Sequence, residues 1–388
     1  MTSATYRRNK VFWLAALQTG AFGLFMGGFG PALPLLQQEQ GTSAAVAGLH
    51  GTALGLASII AGSLNARIVH RFGRMNSVWL GLTIFNLGAL GFVLLPYAWQ
   101  TISAILISGI GLSVTINNTF MKLSIYYAKH SARATSQANG VNSAFVLLGN
   151  FIIGVIASSA FSWKLGLLLC IPFTLVLYLA LGRSEDFEHT PEESGHQRGS
   201  LSGKYWISWI GMSFCIAAEF AIAFWAAALL REKTEISAPL ATTLVLAFPM
   251  GMMLGRWFGT YLFPQLDIDM RLKLIIALQG LSFMVFWKSE ILVASFIALL
   301  LVGFGTSMQF ALSTLRLLRF GKDKPDLAIG KSSLSAGVAI GLSPLLLGIL
   351  ADNLGIIKGF LLVPLLIVCA FIIVTLVPSK NEASAETK

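Results

Sequence analysis

Of the seventeen acidic residues in this chain, all but one fall in connectors, tails or the ends of apolar runs. The exception is Glu219, midway along the apolar run 206–229, where the sequence reads Ala218–Glu219–Phe220. An ionised side chain at the centre of a bilayer costs roughly 2.5–3.5 kcal/mol on insertion scales, so a carboxylate there needs a chemical reason. Arg256, inside the run 239–263, is the matching lone cation. At 1.5 Å per residue, Glu219 lies about 20 Å from the start of its run near Tyr205, and Arg256 about 10 Å from the end of its run near Phe263. Two long side chains, or a water between them, can bridge the remaining difference of about 10 Å. Two readings stand side by side. Glu219 is a proton-coupling or substrate-binding carboxylate partnered by Arg256, or the two form an ion pair that ties helices together without transport chemistry.

Further polar residues interrupt other apolar runs: Gln18, Asn117, Asn118, Asn142, Asn150 and Gln309. Each can hydrogen-bond a polar solute or join neighbouring helices. Phe220 and Trp225, close to Glu219 in sequence, can stack on a sugar or aromatic ring, or serve as packing and interface anchors. Gly251, Gly255 and Gly259 recur every fourth residue and mark a close helix contact. Soluble-enzyme signatures fail. Gly330–Lys331–Ser332 imitates the end of a phosphate loop, but Pro325 stands where the upstream glycine belongs. The five histidines are scattered, and Cys170, Cys215 and Cys369 are isolated in apolar runs, so no metal site and no cofactor are expected. Without a nucleotide site, transport would draw on an ion gradient or on the solute's own gradient.

The elements that must position these residues are membrane spans. Only 11% of the chain is charged, against about 25% in soluble domains, and 55% is hydrophobic, with a mean hydropathy of +0.75. Twelve apolar runs of bilayer-crossing length are expected near 11–36, 44–66, 76–96, 101–121, 140–161, 164–182, 206–229, 239–263, 272–287, 291–313, 330–350 and 357–377. The first is too long for a signal-peptide core and is read as a retained span. With the N-terminus placed in the cytoplasm, 21 Lys and Arg residues fall on the cytoplasmic side and 5 outside, with Arg256 between them. The net charge of +10 then records topology, needing no nucleic-acid partner, in a multi-pass inner or plasma membrane protein with both termini cytoplasmic.

Residues 183–204 are polar and charge-rich and read as a cytoplasmic linker between a six-helix bundle at 1–182 and a second at 205–388. Gly154–Val155–Ile156–Ala157 before Lys164 matches Gly348–Ile349–Leu350–Ala351 before Lys358 at an offset of 194, half of 388 residues, which favours duplication.

The sequence resembles the major facilitator superfamily along essentially its whole length. The likeness rests on Gly28–Phe29–Gly30–Pro31–Ala32–Leu33–Pro34 at the end of the first span and on His70–Arg71–Phe72–Gly73–Arg74, similar to the family's D-R-x-G-R loop. Ala218–Glu219–Phe220 and Gly251–Met252–Met253–Leu254–Gly255–Arg256 are similar to a sugar and fucose-permease-like branch, and the stretch from Ser343–Pro344 through Gly348 and Asp352 to Gly355 resembles the exit of the family's eleventh helix. His70 stands at the loop's acidic position, Ile105 or a neighbour where many members carry an arginine, and Gly149–Asn150 lacks the proline of drug antiporters. The resemblance implies an all-α membrane fold of twelve helices in two pseudo-symmetric bundles, with helices 1, 4, 7 and 10 lining the cavity. Gln18, Asn117, Asn118 and Gln309 fall on that set.

The function so implied is proton-coupled transport of a small polar organic solute by a monomer in the lipid bilayer. Efflux of amphipathic compounds by proton antiport is the same-fold alternative, and a non-transporting sensor or intramembrane enzyme a remote one. The loop His70–Arg74 and the basic stretch Arg316–Lys324 would be conformational-switch elements meeting the opposite half or lipid headgroups.

Overall fold

A computed structural model of the chain describes residues 7–127, 130–157, 159, 162–182, 199–259, 262, 265–321 and 324–379. Among these residues there is no strand, and the helices are α1 (Lys10–Gln40), α2 (Ala44–Phe72), α3 (Arg74–Leu94), α4 (Ala98–Tyr127), α5 (Ser131–Ala157), α6 (Lys164–Leu167), α7 (Cys170–Leu181), α8 (Gly203–Thr234), α9 (Ala238–Leu244), α10 (Ala247–Phe258), α11 (Ile268–Lys288), α12 (Leu292–Thr306), α13 (Gln309–Phe320), α14 (Pro325–Leu354), α15 (Ile356–Gly359) and α16 (Leu362–Leu376). They make twelve apolar crossings, because α6–α7, α9–α10, α12–α13 and α15–α16 each form a single broken span. Most of the expected linker, 183–198, lies outside the described residues.

Three of the four breaks have one cause. Leu168, Val245 and Phe360 end α6, α9 and α15, and each lies four residues before a proline: Pro172, Pro249 and Pro364. Proline has no N–H to offer that carbonyl, and its ring presses against it. The boundaries also differ from the apolar runs. α4 continues to Tyr127, and α5 already begins at Ser131. Hydropathy registers only the part of a helix immersed in hydrocarbon, whereas the backbone ladder continues past it. α10 stops early, at Phe258.

Alternating crossings place the start of α1, the α2–α3 turn and the starts of α5, α8, α11 and α14 on one face, called here the basic face. Within the first six crossings α1 packs on α5, and α2 and α3 on α4; within the last six α10 and α11 pack on α12, and α14 and α16 on α8.

Two seams join these sets. Along α2–α14, the Asp352 carboxylate accepts hydrogen bonds from the amides of Ala44 and Ala45 at 2.9 and 2.7 Å, and Thr52 Oγ1 donates to the Gly341 carbonyl at 2.7 Å. Gly55 meets the backbone of Gly337 and Gly341 so closely that a side chain would not fit. Toward the basic face this seam parts: a methyl group on Gly62 would meet no atom within 4 Å. There each helix bonds back into its own set. Asn118 Nδ2 donates to Asn65 Oδ1 at 2.7 Å, Tyr205 Oη to the Ala328 carbonyl at 2.7 Å and Trp209 Nε1 to the Lys331 carbonyl at 2.8 Å. The second seam, α5 against α9–α10, is closed from Gly154–Thr243 at the far face to Gly140–Trp257 near the basic face. Between the seams α1 touches α8, with the rings of Phe29 and Phe224 perpendicular at 5.6 Å.

Candidate functional site

Glu219 projects from α8 and Arg256 from the last turn of α10, one turn after Met252. Arg256 Nη2 stands 3.9 Å from Glu219 Oε1, with the side chains 24% and 18% exposed. At that distance the charges attract without forming a hydrogen bond. The guanidinium's short bond goes elsewhere: Nη1 donates to Ser143 Oγ on α5 at 2.7 Å. Ser143 is itself buried, and its hydroxyl hydrogen goes to the Asn139 carbonyl at 2.9 Å, which leaves its oxygen free to accept from arginine. Ser136 Oγ donates to the Arg256 backbone carbonyl at 3.2 Å. Next along α10, the Trp257 ring covers Gly140 and carries the Arg8 guanidinium 5.3 Å from its centroid, while Arg8 Nε donates to Gln137 Oε1 at 3.0 Å. Arg256 and Trp257 thus dock on the face of α5 formed by residues 136, 140 and 143, which are spaced to lie on one helical stripe. Serines are frequent and polar weight small, so composition alone did not single out Ser136 and Ser143. Their helical spacing opposite Arg256 was the available signal.

The second-tier candidates separate. Asn117 is exposed on α4, and Phe220, half-buried beside Glu219, lies 6.1 Å from the ring of Phe224. Asn118 turns inward: it bonds Asn65 and accepts from Arg74 Nη1 at 3.2 Å. Gln309 likewise donates to Gln279 Oε1 at 2.7 Å and to the Gly305 carbonyl at 3.0 Å. Trp225 is buried, its indole nitrogen donating to the Pro344 carbonyl at 3.0 Å. These three therefore spend their polar groups inside their own sets of crossings, because a desolvated amide or indole N–H is costly until it finds a partner. Gln18 is also buried, three residues before Ala21, which packs on Val78 and Leu82 of α3. Buried side-chain atoms without a hydrogen-bond partner include Gln18 Nε2, Asn142 Oδ1, Asn150 Oδ1 and Gln309 Oε1. Asn150 follows Ser143 by seven residues and shares its stripe.

In the expected switch loop, His70 is exposed, and Arg71 lies 5.5 Å over the ring of Phe72. Gly73 adopts φ 75°, ψ 161°, a conformation that glycine alone takes comfortably. Arg74 is spent on Asn118.

The basic stretch after the tenth crossing is a correction. Arg316 and Arg319 were expected among surface connectors, yet Arg316 is 2% exposed. Its Nε donates to Asp269 Oδ1 at 2.6 Å, and its Nη2 bonds the Val377 carbonyl. Asp269 also accepts from the Ser379 hydroxyl at 2.9 Å and from the Ser379 amide, and Arg319 pairs with Asp267 at 3.2 Å. α13 carries both arginines three residues apart, and Asp267 and Asp269 sit at the start of α11. Both ends were read as connectors because the apolar runs stopped short of them. Burial alone would raise the Asp267 carboxyl. The amide of Asp269 and the Arg319 guanidinium outweigh that and hold it below its ordinary value.

The family pattern of the Major Facilitator Superfamily matches residues 15–324. A Bacillus subtilis (strain 168) protein, YwtG, whose name assigns it only provisionally to metabolite transport, is 24% identical over 168 residues, spanning 43% of this chain and 37% of YwtG. The crystal structure of a point mutant of a nucleoside transporter, NupG, superposes with a TM-score of 0.77 at 11% identity, over 95% of this chain and 99% of the other. A bacterial homologue of the human lysosomal transporter Spinster, inward-facing and occupied, gives 0.67 at 13% identity over 98% of each chain. The E. coli fucose:proton symporter FucP gives 0.66 at 16% identity, over 94% and 98%. At these identities the superpositions speak for the fold; the match over residues 15–324 speaks for the family, so this twelve-crossing chain belongs to the Major Facilitator Superfamily and is a membrane transporter rather than an enzyme.

Proposed function

We propose that the protein carries a small polar organic solute across the inner membrane by alternating access, with proton coupling at Glu219 and Arg256. The halves that move are 1–182 and 205–388, joined through 183–204, and the basic face is cytoplasmic by the distribution of Lys and Arg. One observation carries the reading: the embedded acid–base pair Glu219–Arg256 of the second half is tied to the first, because Arg256 reaches across the α5–α10 seam to Ser143. A protonation event at Glu219 would then act on a bond between the halves, as coupling requires. The α2–α14 seam, closed outside and parted toward the basic face, supports an inward-facing arrangement with entry from the cytoplasm. Asn117 and Phe220 are the residues proposed to meet the solute, one by hydrogen bonding and the other by its ring. A nucleoside transporter and a fucose:proton symporter among the proteins of like fold supply sensible probes.

The test is uptake of uridine, L-fucose, organic acids and cationic drugs into proteoliposomes under an imposed pH gradient. One proton per solute across one pH unit supports about tenfold accumulation. Wild type is expected to concentrate one polar solute, and Glu219→Gln to lose accumulation while keeping its fold. Wild-type accumulation in that variant would contradict the reading, and drug movement in the opposite sense would make the protein an exporter.

A further inference from the structure

We infer that Ser143 is a positioning residue that couples Glu219 to the closure of the α5–α10 seam, by competing with the carboxylate for the single Arg256 guanidinium. The inference rests on the reading of Glu219 as the proton-coupling group. Three facts of geometry carry it. Arg256 gives its short bond, 2.7 Å, to Ser143 of the first half, and stands off Glu219 of its own half at 3.9 Å. Ser143 is buried, and its hydrogen is committed to the Asn139 carbonyl, so its oxygen presents only lone pairs to arginine. Ser136 adds only a longer bond across the seam, 3.2 Å to the Arg256 backbone carbonyl, so the guanidinium's 2.7 Å bond to Ser143 is the shorter of the two that Arg256 makes to α5.

A neutral Glu219 leaves Arg256 on Ser143 and the seam closed. An ionised Glu219 draws the guanidinium into a bonded pair within the second half, and the bond across the seam is lost. No other charge competes at this depth among the described residues. Of the elements packed against α8, α9, α12 and α16 carry no charged residue; Arg316 of α13 is taken by Asp269, and Lys10 and Glu39 of α1, Arg319 of α13, Asp326, Lys331 and Asp352 of α14 and Lys358 of α15 lie within two turns of a helix end. On α8 itself, Cys215 lies one turn below Glu219 and is buried, and Lys204, Arg231, Glu232 and Lys233 are at the ends.

Spin labels on Ser124→Cys of α4 and Phe258→Cys of α10, both exposed, read the separation of the halves at the basic face on a Cys369→Ser background. Wild type between pH 5 and 9 is expected to move from a short to a longer separation as pH rises, and Glu219→Gln to stay short throughout. Ser143→Ala and Ser143→Val are expected to lose the pH response, whereas Ser143→Thr, with Val's shape and serine's hydroxyl, keeps it. A wild-type pH profile in both Ser143→Ala and Ser143→Val overturns the inference, even with a lowered Tm, since packing alone would produce that result. If Glu219→Gln flattens the profile and Ser143→Ala does not, only the role of Ser143 fails. If Glu219→Gln behaves like wild type, the reading of Glu219 fails and the inference falls with it.

Discussion

Two ion pairs in the last six crossings are held very differently. Asp269 and Arg316 meet at 2.6 Å, the guanidinium also bonding the Val377 carbonyl and the carboxylate accepting from the Ser379 amide and hydroxyl, and both side chains are almost wholly buried. Glu219 and Arg256 stand at 3.9 Å with part of each side chain accessible. The first arrangement fixes structure, because removing one partner strands a buried charge; the second leaves room for exchange. Asp269→Ala is expected to cost about 3–5 kcal/mol, measured as a loss of thermal stability in detergent. Arg319→Ala, which breaks a pair about a quarter exposed at both ends, is expected to cost under about 1 kcal/mol. The Asp267 carboxyl is held below 3.8, so its contribution is complete above that value and is lost as pH falls through the lower folded one. Between pH 5 and 9 it is constant, and a pH response in that window comes from another group. Stability of Asp267→Asn relative to wild type, followed from pH 7 to pH 3, is expected to differ least at the acid end.

Helices were legible as elements and less legible as faces. All twelve apolar runs correspond to crossings, because the bilayer demands a length of apolar side chain that composition displays directly. Which way Asn118 or Gln309 points depends on a neighbour: each found its amide partner, Asn65 or Gln279, on another helix. The Asp269–Arg316 pair was missed for a related reason, since hydropathy ends a span where polar residues begin, although the helix runs on. The Gly73 turn, by contrast, was visible as a motif, and its φ of 75° explains the residue. Gly73→Ala is expected to cost about 1–3 kcal/mol in thermal stability through backbone strain alone. At Gly55, where an added carbon would clash with the Gly337 carbonyl, Gly55→Val is expected to push α2 from α14. Thiol labelling of Thr52→Cys, at a side chain that already faces Gly341 in this seam, would rise in the Gly55→Val background above that in Thr52→Cys alone if the seam opens, and stay level if it does not.

At the scale of the molecule, one seam is closed from face to face and the other only at the far face. The α5–α10 seam therefore acts as the axis of the present arrangement and the α2–α14 seam as the side that parts. Arg256 lies on that axis, and in the proposed coupling a small shift of its guanidinium would favour one tilt of the halves over another, in the manner of a two-state element biased by a local charge. The most direct test of proton coupling at Glu219 is proton movement itself: external pH of lightly buffered proteoliposomes followed with a dye as uridine or L-fucose is added. Alkalinisation outside that accompanies uptake in wild type and vanishes in Glu219→Gln is the predicted result; uptake with no proton movement in wild type, or proton movement undiminished in Glu219→Gln, would contradict it.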